Sequence, residues 1–137
     1  PIVTEEWGHF RMVLAEMIKR GMKLGPQRKD TYVNLLLSHQ TKGGSREARL
    51  LDQLLICALI EARSCERFRL LSEELHDAYL RSFYRRFMES EAGHYTLFIR
   101  LANEDQPKEA VKKRWGEWLE TEAGVIGSLS VRGDRMH

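Results

Sequence analysis

Apolar residues recur at Val3, Trp7, Phe10, Val13, Leu14, Met17 and Ile18, a spacing that gathers them on one helical face and predicts a helix over residues 3–22. Thr4 reads as its N-cap, with Trp7 where a capping-box acid would sit, and Gly21 and Gly25-Pro26 close it. Residues 23–47 make a long polar connection that holds a short helix around 30–38 and ends at Gly43-Gly44-Ser45. In the next stretch Leu50, Leu51, Leu54, Leu55, Cys57, Ala58, Leu59 and Ile60 leave little polar circumference, so a helix over 46–74 is predicted to be buried on most sides. After a break near His76-Asp77 a further helix spans 77–103, ending at Asn103 ahead of Pro107. Val111, Trp115, Trp118 and Leu119 mark another over about 107–122, and the Gly and Ser residues from Gly124 onward predict an irregular tail. No stretch alternates with the period of a strand and no solenoid-length repeat is present, so the fold class is all-α.

Three long helices, with a long crossover between the first and second, predict a bundle with ferritin-like connectivity. A chain of 137 residues has the size of one domain, and 1–137 is read as a single one. Its 42% hydrophobic and 31% charged residues are those of a soluble globular protein, and only three prolines interrupt the helices. No apolar run approaches the roughly 18 residues that would cross a bilayer and no signal-peptide pattern opens the chain, so a cytoplasmic protein without a membrane partner is expected. Cys57 and Cys65 lie on one predicted helix, eight residues and therefore roughly 12 Å apart, too far for a disulfide. They read as reduced thiols. A formal net charge of +2 permits a nucleic-acid partner without arguing for one. The chain begins at Pro1 with residues that already read as the middle of a helical domain, so an upstream segment is expected to be absent from it.

Two Glu-x-x-His motifs stand out, Glu6-Trp7-Gly8-His9 and Glu91-Ala92-Gly93-His94. Residues three apart share a helix face, so each pair can hold a metal ion jointly. A third acid, Glu61, lies in the hydrophobic helix. One such motif alone is weak, since Glu and His are ordinary surface residues; placement raises its value. Tyr84, Phe87, Met88, Tyr95 and Phe98 share the face of Glu91; Leu54, Cys57, Ala58, Cys65 and Phe68 that of Glu61; Val3, Phe10 and Val13 that of Glu6. An unpaired buried carboxylate costs several kcal/mol, so three acids in apolar stripes call for cations, and Glu with His suits iron or manganese. The plain alternative, solvated or salt-bridged residues at helix edges, requires a triple coincidence. Glu66 is five residues beyond Glu61 and roughly 140° around the helix from it, Glu5 and Glu89 lack a His three residues on, and His76 lies at a turn. All four are set aside as ligands. A di-metal bundle takes a Glu from each of two helices and a Glu-x-x-His from each of the other two. The fourth carboxylate is then expected on a helix preceding residue 1.

The run Leu55-Ile56-Cys57-Ala58-Leu59-Ile60-Glu61-Ala62-Arg63-Ser64-Cys65-Glu66-Arg67-Phe68 resembles the tRNA hydroxylase family called MiaE, as do Glu5-Glu6-Trp7-Gly8-His9-Phe10 and Glu89-Ser90-Glu91-Ala92-Gly93-His94-Tyr95. The similarity spans roughly residues 1–122. It implies a ferritin-like, non-haem di-iron monooxygenase that hydroxylates the isopentenyl group of 2-methylthio-isopentenyladenosine next to the anticodon, using O2 and two electrons. It further implies that Glu6, His9, Glu61, Glu91 and His94 are iron ligands, with the absent first-helix Glu the one departure. Expected partners are the tRNA anticodon loop and an unidentified electron donor, in a monomer or dimer. Phe10, Phe68, Phe87 and Phe98 are candidates for the apolar wall of a dry site, and Cys65 lies one turn beyond Glu61. Basic clusters at Lys19-Arg20-Lys23, Arg28-Lys29, Arg81-Arg85-Arg86 and Lys112-Lys113-Arg114 are candidate phosphate contacts. Arg132-Gly133-Asp134 is treated as chance. A ferritin-like iron-oxidising or storage protein with the same ligands, and a metal-free helical adaptor, are the competing readings.

Overall fold

A computed structural model describes residues 2–130 and contains, among them, α1 (Ile2–Lys19), α2 (Thr31–Ser38), α3 (Arg46–Glu74), α4 (Ala78–Asp105) and α5 (Lys108–Ser128). Side-chain caps start three of these. Asp30 accepts from the Val33 amide at 3.1 Å, Ser45 from Ala48 at 3.1 Å, and Asp77 from Tyr79 and Leu80 at 2.9 and 3.2 Å. Thr4, expected to cap α1, instead lies inside it. At its other end α1 stops at Lys19, short of the predicted 22, because Gly21 turns left-handed (φ 69°) and lets the Met22 amide reach the Met17 carbonyl at 2.9 Å.

The three-residue connection between α3 and α4 makes them an antiparallel pair, packed along their length. The hydrophobic core lies where α2, α3 and α5 meet, with the last turns of α4 adding Ala102 and Ile99. Tyr32 and Leu36 of α2, Leu55 and Leu59 of α3, Val111 and Trp118 of α5 are its centre. Val125 is buried there as well, which explains why α5 continues through 124–128 where an irregular tail was predicted. Burying Val125 and packing Ile126 against the core offsets the roughly 1 kcal/mol that each of Gly124 and Gly127 costs a helix. The Arg132-Gly133-Asp134 tripeptide lies outside the described residues.

Polar side chains tie the C-terminal end of α1 to the start of α4. Arg20 bridges Glu16 (2.8 Å) and Asp77 (3.2 Å), and the Tyr79 hydroxyl donates to Glu16 at 3.1 Å. The apolar stripe of α1 is not buried as expected: Val3 is 83% and Trp7 60% exposed. At about 100° per residue the stripe lies roughly a quarter-turn around the helix from the edge carrying Glu6, His9 and Glu16, so contact with α4 cannot cover both. Among the described residues no helix is long and apolar enough to cross a membrane.

Candidate metal centre

Glu61 and Glu91 each stand fifteen residues from His76 in the α3–α4 turn, so an antiparallel pair brings both to one level. His94 follows one turn along α4, and α1 lays Glu6 and His9 across the same level. Glu6 Oε1 lies 3.3 Å from His9 Nδ1 and 3.2 Å from His94 Nδ1, while His9 Nδ1 is 3.5 Å from Glu91 Oε1. Glu61 Oε2 is 4.0 Å from His94 Nδ1. All five sequence-predicted residues therefore converge, and Glu6, Glu91 and His94 each offer a ligand atom within 4.8 Å of the others.

Their burial is unequal. Glu91 and His94 are 5% and 4% exposed, and Glu61 is largely shielded. Glu6 is not the buried acid that its apolar neighbours predicted; its side chain is 47% exposed because α1 is open on that flank.

Electrostatics and hydrogen bonding test whether this set fits a metal. Burial, then the hydrogen bond and charge of Glu61 and the charge of Glu6, push Glu91 up to about 9. The buried Nδ1 atoms of His9 and His94 face carboxylate oxygens at 3.2–3.5 Å, yet neither makes a hydrogen bond. Crowded carboxylates beside two unsatisfied imidazole nitrogens form a donor set that a divalent cation of the iron or manganese type satisfies. The residues fit the group.

Glu5, set aside on spacing, has a place here. Its Oε2 lies 2.6 Å from His94 Nε2, and that hydrogen bond is the main reason its carboxyl sits below its usual range. With Nε2–H donating to Glu5, the Nδ1 lone pair of His94 is left facing Glu6 and Glu61. Glu-x-x-His spacing reports only residues on one helix and is blind to this contact. The one signal was that Glu5 is a turn from His9, on the same side of α1.

Of the four phenylalanines proposed as the apolar wall, Phe87 lies 4.8 Å from the His9 ring and packs on Phe68 at 5.4 Å and on a fifth, Phe83, at 4.8 Å. Phe10 is instead exposed and stacked on Trp7 at 5.4 Å, while Phe98 is half-buried further along α4. Cys57 and Cys65 are free and half-buried, each raised by burial and then by the neighbouring carboxylate, Glu61 and Glu91 respectively. Three of the basic positions are structural, among them Arg20, which joins Glu16 to Asp77. Arg114 pairs with buried Asp52 at 2.6 Å, and Arg81 donates to the Leu75 and His76 carbonyls at the end of α3.

The family profile described as tRNA-(MS2IO6A)-hydroxylase (MiaE) matches residues 1–137. The tRNA 2-(methylsulfanyl)-N(6)-isopentenyladenosine(37) hydroxylase of Pseudomonas putida (strain KT2440) is 37% identical over 106 residues, covering 74% of this chain and 48% of that protein. Its namesake from Salmonella typhimurium (strain LT2) is 34% identical over 131 residues, covering 91% and 45%. The chain thus spans about half the length of the curated relatives it matches. Among solved structures, Protein 43 with aldehyde deformylating oxygenase activity from Synechococcus superposes with a TM-score of 0.88 at 35% identity, over 96% of this chain and 65% of that one. The all-α fold is therefore ferritin-like.

Proposed function

The chain belongs to the MiaE family, and from that premise we propose that it is an O2-dependent, cytoplasmic tRNA hydroxylase acting on the isopentenyl group of 2-methylthio-isopentenyladenosine beside the anticodon. Residues 1–137 are read as one ferritin-like di-iron domain, working as a monomer or dimer with a separate electron donor. Glu6, His9, Glu61, Glu91 and His94 would hold the two iron ions. Iron, when bound, supplies the O2 activation that hydroxylating an allylic C–H bond requires. The chain's own residues do the rest. Glu61 and Glu91 set the donor spacing from the rigid α3–α4 pair, Glu5 orients His94, and Phe68 and Phe87 keep water from the α4 side.

The observation that carries this reading is the convergence of both Glu-x-x-His pairs and Glu61 on one level, with two buried Nδ1 atoms unsatisfied. The hydroxylase names of both relatives favour it over iron storage. Nucleoside analysis of tRNA from cells lacking the protein tests it. Hydroxylated isopentenyladenosine should vanish and its unhydroxylated precursor accumulate; persistence of the hydroxylated form refutes the assignment. Retention of about two irons per chain by the full-length protein is the matching check on the site.

A further inference from the structure

A cleft of about 180 Å³ opens where the last three turns of α4 face the first two turns of α5. Tyr95 and Asn103 line it from α4, and Lys108, Lys112 and Trp115 line it from α5. At about 30 Å³ per small group, the share of a water molecule in the liquid, it has room for roughly six heavy atoms. That is one planar ring, with the sugar it is attached to left outside.

The polar tips on its walls are uncommitted. Trp115 and Tyr95 stand ring to ring at 6.0 Å, and among the described residues neither the indole N–H nor the phenol makes a hydrogen bond. Trp118, three residues on, differs: its indole N–H donates to Asp52 in the core at 3.0 Å. Asn103 gives one amide hydrogen to the Ile99 carbonyl at 2.8 Å and keeps its oxygen as an acceptor. Lys108 and Lys112 are exposed, one turn apart, and form no ion pair among the described residues. The acids nearest in sequence, Glu104, Asp105 and Glu109, do not line the cleft. Glu104 faces Arg100 at 3.9 Å and Asp105 accepts from Gln106 at 3.1 Å. The basic run Lys112-Lys113-Arg114 is thus divided by the helix, with Lys112 at the cleft and Arg114 spent on Asp52.

Tyr95 directly follows His94, so the cleft begins at the level of the metal centre along α4. Successive helix residues diverge by about 100°, which turns it toward α5 and away from the donors. Asn103 lies nine residues on from His94, roughly 13 Å along the axis. A group held here therefore sits beside the reacting base and is not that base. Two aromatic rings, an amide and unpaired lysines around a slot one ring wide are the chemistry that binds unstacked bases of single-stranded RNA. A protein partner would need a broad face of about 800 Å² instead. We propose that the α4–α5 cleft docks a loop nucleotide of the substrate RNA other than the one modified. Its base lies against Trp115 and Tyr95, and its flanking phosphates meet Lys108 and Lys112. The proposal rests on the hydroxylase reading and adds the face on which the RNA lies.

The test uses full-length, iron-loaded protein and an anticodon stem-loop RNA bearing the isopentenyl substituent. The double variant Lys108→Ala/Lys112→Ala should weaken Kd for this RNA about tenfold, with iron content unchanged. It should also lower the slope of log K against log salt by roughly 1.4, the share of two single-strand phosphate contacts. Trp115→Ala should weaken binding about tenfold or more and Trp115→Phe by less than about threefold, since any aromatic face supports stacking. A loop carrying photoreactive thiouridine should cross-link to the α5 peptide that contains Trp115. If Trp115→Ala fails to fold, the lysine variant and the cross-link decide. Wild-type affinity and salt slope in the lysine variant, or cross-links confined to other helices, overturn the docking assignment. So does unchanged RNA binding with slower reduction of the iron by a reduced acidic ferredoxin, which would mark a protein's docking face. Failure of wild-type protein to hydroxylate an RNA that it binds through this cleft defeats the hydroxylase reading alone; failure to bind it at all defeats both.

Discussion

On one side of α3 the buried carboxylate of Asp52 faces α5; on the other side Glu61 faces Glu91 of α4. Burial raises the pKa of both Asp52 and Glu91, and in both it is the largest influence. The outcomes are opposite. Asp52 accepts from Arg114 at 2.6 and 3.0 Å, from Trp118 Nε1 at 3.0 Å and from the Thr41 amide at 3.2 Å, and these hold it at about 2. Glu91 meets two further carboxylates and rises to about 9. A buried acid surrounded by donors is a structural tie, whereas one surrounded by other acids favours a proton or a bound cation. α3 thus presents a donor-satisfied acid to α5 on one face and, through Glu61, meets the crowded acids of α4 and α1 on the other.

The contrast can be broken most severely at Asp52. Asp52→Ala strands the Arg114 guanidinium and the indole N–H, and should lower the free energy of unfolding by about 3–5 kcal/mol in a denaturant titration. Acid gives a gentler version. With its folded pKa near 2 against 3.8 for the ordinary group, Asp52 binds protons less readily folded than unfolded. Its contribution, about 2 kcal/mol at roughly 1.4 kcal/mol per unit, is complete above about pH 4 and fades as pH falls toward 2. Asp52→Asn should remove that portion of the acid dependence of the unfolding midpoint.

On the other face, Glu5→Ala frees His94 Nε2 from its acceptor and should weaken iron binding about 10–100-fold with little change in thermal midpoint. Competition against a chelator measures it. The smallest stability effect is expected at Glu91→Gln. In the iron-free protein it replaces a carboxyl that its surroundings already keep protonated, so unfolding should change by no more than about 1 kcal/mol. The same variant should bind less iron than wild type. A large destabilisation of the iron-free variant would show that Glu91 is a structural tie like Asp52.

Much of this arrangement is legible along the chain. The helix over 46–74, the turn at 75–77 and the equal distances of Glu61 and Glu91 from His76 follow from local periodicity and a constant rise per residue. Glu-x-x-His spacing likewise reports which side chains share a face. Such patterns determine angle and height on a helix; they are silent on what stands opposite. The bond between Glu5 and His94 spans 89 residues and the one between Asp52 and Arg114 spans 62, so neither leaves a periodic trace. That Glu6 is half in solvent, that Arg114 anchors the core and that α5 runs on through two glycines were decided only by tertiary packing. In each case the physical reason is the same: the energy of the residue depends on a neighbour brought up by another helix.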